Sequence, residues 1–155
     1  MLTISRDEII KMVPMPDAIA AMRQAFSDFN NGAFVLPDRI SMEINNKDAT
    51  VLVMPAYRKM GKYFTTKVVT VFQNIIAGRS STISSSVSVF NSSNGDLVAT
   101  MDGRAITSLR TGAATGLATK LLAKENVEVA AIFGTGVQAY TQVEAIISSR
   151  PINKI

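Results

Sequence analysis

The hydrophobic pattern divides the chain into a helical start, a middle of period two and a helical return. Ser5-Arg6-Asp7-Glu8 has the spacing of a capping box, which predicts a short helix after Ser5. Pro14 and Pro16 interrupt it, and Pro16 suits the first turn of a second helix. Ile19, Met22, Phe26 and Phe29 recur at steps of three and four and predict one apolar face on that helix. Gly32 is its natural stop.

Beyond Gly32 the period changes. Ile40, Met42 and Ile44 alternate with polar residues, as in a half-buried strand. Asn45-Asn46-Lys47-Asp48 is turn chemistry. Residues 50–54 predict a second strand, ended by Pro55. Tyr63–Phe72 predicts a third, with Thr65, Lys67 and Val69 on one face and Phe64, Thr66 and Val68 on the other. Residues 82–91 predict a fourth, and Asn94-Gly95 a tight hairpin into residues 96–100. Short turns between such runs imply antiparallel pairing. The serine-rich stretch 80–88 overlaps the fourth strand and is equally consistent with a strand of small polar residues.

From Thr107 the helical period returns, with Leu109, Ala113, Leu117, Leu121 and Leu122 on one face. Ala and Gly fill the rest, so a neighbouring element is expected to pack closely. Residues 127–133 form a continuous apolar run, the pattern of a strand buried on both faces. Gly134-Thr135-Gly136 breaks it, residues 137–149 predict a helix, and Pro151 ends that helix.

Composition narrows the chemistry. The chain has 155 residues and is 47% hydrophobic and 18% charged, which excludes disorder and suits a single globular chain. No apolar run approaches the roughly 18 residues that would predict a membrane span. Cys and His are both 0, which removes thiolate chemistry, the commonest general base and the usual soft metal ligands, so no metal site is expected. The net charge of +4 is scattered singly rather than clustered, which disfavours nucleic acid and leaves an anionic small molecule. The N-terminus has no signal-peptide pattern, and a soluble, cytoplasmic protein is expected.

Gly134-Thr135-Gly136-Val137-Gln138-Ala139 fits G-x-G-x-x-G/A, after a predicted buried strand and at the opening of a helix. That context makes it a candidate phosphate turn. The first Gly permits the turn, the second lets backbone approach a pyrophosphate, and the small sixth residue lets helix and strand pack. The acidic residue that holds the ribose in such folds stands about 20 positions further on, past Ile155. Three lone cations are open to two readings each. Arg110, in Thr107-Ser108-Leu109-Arg110-Thr111-Gly112-Ala113-Ala114, is either a solvated surface group or a planar fork for a carboxylate or phosphate. Lys67 either faces solvent or points inward as an anion contact, and Arg39, after Pro37-Asp38, is equally open.

Several segments together resemble the ornithine cyclodeaminase/mu-crystallin family. They are residues 94–103 (NGDLVATMDG), Ile106-Thr107-Ser108-Leu109-Arg110-Thr111-Gly112-Ala113 and Ile132-Phe133-Gly134-Thr135-Gly136-Val137-Gln138-Ala139. Leu36-Pro37-Asp38-Arg39, residues 52–57 and residues 67–72 follow in the family's order. The resemblance spans almost the whole chain but only the N-terminal half of the family's length. It implies an α/β protein in which an α+β substrate-binding and dimerisation domain, residues 1–125, precedes the first β-α unit of a Rossmann-type NAD(P)-binding domain, residues 126–155. It further implies that Arg39, Lys67 and Arg110 hold a substrate carboxylate, with Lys67 and Arg110 the catalytic pair. Thr82, Arg110, Gly134, Gly136, Val137 and Gln138 would approach NAD or NADP, and the family's catalytic Asp would stand past Ile155.

The activity implied is an amino-acid oxidoreductase or deaminase, foremost an ornithine cyclodeaminase. In that reaction Cα–H gives a hydride to NAD, the side-chain amine attacks the resulting imine, ammonia leaves, and the returned hydride yields proline. Alanine dehydrogenase, ketimine reductase and a non-catalytic ligand-binding protein are the alternatives. The partners expected are an amino or imino acid and a second copy of the chain, without nucleic acid or membrane. These 155 residues alone are expected to be inactive and to bind dinucleotide poorly. Two departures from the family pattern, Gln73-Asn74-Ile75 after Phe72 and Ile83-Ser84 after Thr82, touch the substrate-side loop.

Overall fold

The computed structural model describes residues 1–44, 48–72 and 82–155. Most of the expected turn at residues 45–48, the departure at residues 73–75 and the first two serines of the 80–88 stretch lie outside the described residues. The class is mixed α/β, and the chain forms two compact units. One comprises Met1–Arg6 and Gly32–Arg104, the other Asp7–Asn31 and Ala105–Ile155.

The first unit is a seven-stranded sheet. Its strands are β1 (Leu2–Ile4), β2 (Phe34–Val35), β3 (Ile40–Ile44), β4 (Ala49–Arg58), β5 (Tyr63–Phe72), β6 (Ile83–Asn91) and β7 (Leu97–Asp102). The order is β1-β7-β6-β5-β4-β2, with β3 also on β4. All pairs are antiparallel except β1 with β7. The β5 strand has the bounds its alternation predicts. Three residues are too few to show a period, so β1 left no readable signal.

Three sheet expectations are corrected. Pro55 does not end β4, which runs on to Arg58. On the edge away from β5, β3 pairs with residues 49–53 and β2 with Tyr57 and Arg58, so no strand there needs the N–H that Pro55 lacks. β3 is exposed rather than half-buried, with Ile44 alone partly covered, because it sits at the sheet edge. The β6–β7 connection is a five-residue loop, residues 92–96, not a two-residue hairpin. The Asn91 N–H donates to the Asp96 carbonyl (2.9 Å), and Asn94 grips Asp96 through its side chain, Nδ2 donating to Oδ2 at 2.7 Å and Oδ1 accepting from the Asp96 N–H at 3.0 Å. Gly95 supplies the positive φ of 80° that this loop needs.

The second unit is helical: α1 (Arg6–Met12), α2 (Met15–Asn30), α3 (Gly103–Leu122) and α4 (Ala139–Ile147). α1 and α3 begin in the sheet unit's last residues. α3 starts four residues before the Thr107 expected, directly after Asp102, a residue type favoured in front of a helix. The core joins Met15, Ala18 and Ile19 of α2, Ala113 and Leu117 of α3, and Ala145 of α4, with Met22 and Leu109 packed against it. Phe26, Phe29, Leu121 and Leu122, expected on the same apolar faces, are exposed. At 1.5 Å per residue the nine residues of α4 reach about 13 Å, too short to cover the far ends of α2 and α3.

Residues 127–133 do not form the buried strand their composition predicts. They are extended but paired only at one bridge, Val129 beside Lys154, and Phe133 is 97% exposed. An apolar run becomes a buried strand only where flanking strands satisfy both edges, and this unit offers one short partner. The helix that follows is also shorter than the predicted 137–149.

α3 and α4 approach at backbone distance. A Cβ on Gly112 would stand 2.5 Å from the Thr141 carbonyl oxygen, and one on Gly116 would meet Ile19 Cδ1 at 2.6 Å and Ala145 Cβ at 3.1 Å. At the far end the Arg150 guanidinium donates to the carbonyls of Lys120 (2.9 Å), Ala123 (2.8 Å) and Lys124 (2.9 Å), closing the open C-terminus of α3. Gly112→Ala is therefore expected to cost about 2–3 kcal/mol, since backbone cannot yield, and Gly116→Ala about 1 kcal/mol, since the Ile19 terminus can rotate. Urea unfolding of the two variants checks the order; equal losses would contradict the backbone contact.

Candidate functional site

In the sheet unit, Lys67 stands opposite Met54 of β4 and Val87 of β6. Directly opposed residues share a face, and on this face Val87 and Ala99 are buried. Lys67 is thus half-buried, as are its β5 neighbours on both faces, on a face that also carries two buried residues. A lysine there keeps its stem against apolar neighbours and offers its ammonium to an anion or a polar partner.

Arg39 precedes β3 and is exposed. Its neighbour Ile40 pairs with Val53, adjacent to Lys67's partner Met54. Extending that register by one residue sets Arg39 level with Lys67, two strand spacings or about 10 Å away. Thr82 stands at the opening of β6, and its carbonyl accepts the Phe72 N–H at 2.8 Å.

A cavity of about 360 Å³ on the same unit is lined by Val35, Pro37, Pro55, Ala56, Tyr57, Phe64 and Ser92. Phe64 stacks on Phe90, centroids 5.0 Å apart. Phe64 and Lys67 point to opposite faces of β5, and Lys67 is not among the residues that line this cavity.

In the helical unit, Arg110 lies in the second turn of α3 and is exposed. The turn at residues 134–138 leads into α4. Gly134 has φ 99°, and a Cβ on Gly134 or Gly136 would meet nothing within 4 Å. Val137 is exposed. Gln138 occupies the N-cap position of α4 without a side-chain cap bond. An open glycine turn at an uncapped helix N-terminus fits a phosphate group, because the helix dipole and backbone N–H groups there favour negative charge.

Gln138 departs from a simple place in that turn. Its Nε2 donates to Ser108 Oγ of α3 at 3.5 Å, and its Oε1 is buried with no hydrogen-bond partner among the described residues. Ser108 is a site residue that sequence reasoning missed; it lies within the motif around Arg110, but nothing in spacing marks its partner 30 positions away. Arg39, Lys67 and Thr82 thus belong to the sheet unit, and Arg110, Gly134, Gly136, Val137 and Gln138 to the helical unit. Among the described residues no group of three or more His, Cys, Asp or Glu is placed to hold a metal, and no helix is long and apolar enough to cross a membrane.

Comparison with known proteins follows the same lines. The sequence pattern of the ornithine cyclodeaminase/mu-crystallin family matches residues 2–155. The chain is 36% identical over 156 residues to a Delta(1)-pyrroline-2-carboxylate reductase of Bacillus cereus, covering 100% of this chain and 48% of that protein. It is 36% identical over 143 residues to the ketimine reductase mu-crystallin of Mus musculus, covering 90% of this chain and 43% of that protein. Among solved structures, the Delta(1)-pyrroline-2-carboxylate reductase of Thermococcus litoralis, in complex with NADH and L-proline, superposes with a TM-score of 0.88 at 34% identity. That match covers 98% of this chain and 47% of the other. The chain spans about half the length of the curated relatives it matches.

The turn itself yields a prediction. Gly134→Ala places a side chain in the left-handed region and is expected to cost about 1–2 kcal/mol. Gly136→Ala has open space and no positive φ, so its expected cost is below about 0.5 kcal/mol. Denaturant midpoints of the two variants check this; a costlier Gly136→Ala would place the constraint on the wrong glycine.

Proposed function

The chain belongs to the ornithine cyclodeaminase/mu-crystallin family, and on that premise we propose that the whole protein is an NAD(P)-dependent oxidoreductase of a small amino or imino acid. The observation that carries this reading is Lys67, a cation on the covered face of the sheet, in a chain that also holds an open phosphate turn. Residues 1–125 serve substrate binding and dimerisation, and residues 126–155 open the dinucleotide-binding part.

Within that reading Arg39, Lys67 and Arg110 hold the substrate carboxylate. Fixing the carboxylate at two or three points orients Cα and its nitrogen and removes much of the entropy cost of reaction. The bound dinucleotide supplies or accepts the hydride. Thr82, Arg110, Gly134, Gly136 and Val137 would hold the dinucleotide. Lys67 is half-buried, so its stem packs against apolar neighbours while its ammonium serves the carboxylate.

Reduction of a cyclic imino acid is the favoured reaction, because the Bacillus and Thermococcus relatives are named for it and the mouse relative for ketimine reduction. Ornithine cyclodeamination is the second reading; it requires the same carboxylate anchors and differs in the amine that the substrate brings. Alanine oxidation and ligand binding without turnover are the remaining alternatives.

The test offers the whole protein 1-pyrroline-2-carboxylate with NADH or NADPH, and L-ornithine or L-alanine with NAD or NADP. Imine-dependent loss of reduced nicotinamide is expected. Proline from ornithine without net change in nicotinamide would favour the second reading, and no dinucleotide binding at all would refute both. Lys67→Met preserves the apolar stem beside Met54 and Val87 and is expected to fold, while turnover falls by about 100-fold or more. Full activity in that variant would remove Lys67 from the site. Sedimentation of the active protein is expected to give a dimer or higher oligomer.

A further inference from the structure

We propose that Gln138 is a positioning residue, tying the phosphate turn to α3 through Ser108 rather than serving as a phosphate ligand. This rests on the dinucleotide reading of the turn. Ser108, Gly112 and Gly116 recur at steps of four and share one face of α3. Across from them, Gln138, Thr141 and Ala145 share one face of α4. Gly112 faces the Thr141 backbone, and Gly116 faces the Ala145 methyl. One turn nearer the phosphate turn, the glycine is replaced by Ser108, and the Gln138 amide fills the wider gap. On this proposal the pair holds the N-terminal end of α4 against α3, and its loss lets that end move about the glycine contacts.

The state of the Gln138 amide supports this. Its backbone carbonyl is committed to α4, accepting the Gln142 N–H and the Thr141 hydroxyl, both at 3.1 Å. Its Oε1 is buried and unpartnered. An amide free to swing into water would satisfy both of its ends, so the side chain is held inward by its contact with Ser108. Exchanging the amide O and N lets Ser108 donate instead, which keeps the bond and again leaves one end unpaired. The core cluster lies on the Ala145 side of the contact, so loss of the pair loosens the turn without unfolding the helices.

The test is a double-mutant cycle in the whole protein, read by NADH fluorescence titration. Ser108→Ala and Gln138→Ala are each expected to raise the Kd for NADH about fivefold, the worth of one neutral hydrogen bond. The double variant is expected to be no weaker than either single one. Ser108→Thr, which keeps the hydroxyl, is expected to stay near wild type. If Gln138→Ala weakens binding and Ser108→Ala does not, Gln138 touches the dinucleotide itself and the proposal is overturned. Additive losses, or no loss, also overturn it. Hydrogen exchange without dinucleotide supplies an independent arm: the amides of residues 136–142 are expected to exchange faster, and equally so, in both single variants. Unchanged exchange overturns the clamp. A wild type that binds neither NADH nor NADPH refutes the proposed function, and the exchange result alone then decides the clamp.

Discussion

The helical unit depends on two glycines of α3, one set against the backbone of α4 and one against the side chains of Ile19 and Ala145. At Gly112 the nearest atom to a hypothetical side chain is a carbonyl oxygen, which has no rotamer to move out of the way. Close approach is self-reinforcing. It buries Ala113 and Ala145 completely and lets the Ser149 hydroxyl reach the Gly116 carbonyl at 2.9 Å. It also brings the C-terminus of α3 within range of Arg150, whose planar fork serves three carbonyls at once. Small residues here are not filler, because a side chain on Gly112 would run into the Thr141 carbonyl and force the helices apart at that crossing. The phosphate turn is the segment that feeds into this seam, so its position is a consequence of helix packing rather than of the turn sequence alone.

The sheet unit solves a different problem. Its long strands pair in one antiparallel path, and alternation then assigns every side chain to a face. Where Val87 and Ala99 mark one face as buried, a lysine between Met54 and Val87 is a departure from the apolar pattern. Placing an ammonium on such a face costs desolvation unless an anion or polar group meets it.

Legibility in the sequence followed the range of the physics. β5 was readable to the residue because its ten residues are almost all β-branched or aromatic, and α2 because Pro16 and Gly32 punctuate it. The turn at residues 134–136 was readable because its glycines are local chemistry. The close neighbour of α3 was readable from its alanines and glycines, although not which element it would be. What failed was tertiary. Nothing in residues 50–58 shows that the outer edge of β4 changes partner around Pro55, and nothing in Phe26 or Phe29 shows that α4 is too short to cover them. The apolar run at residues 127–133 was read from composition, but burial is a property of its neighbours, and one bridge to Lys154 does not supply them. Family resemblance located Arg39, Lys67 and Arg110; the register then said which way Lys67 points.

The absence of histidine and cysteine from all 155 residues sets the division of labour in the proposed reaction. Of the three cations assigned to the carboxylate on that reading, two are arginines, whose planar forks present paired N–H donors in a fixed plane. Lys67 carries a compact ammonium on a flexible stem, a point charge without a plane. On the proposed reading, then, the arginines fix the orientation of the carboxylate, while Lys67 adds charge to it from the sheet.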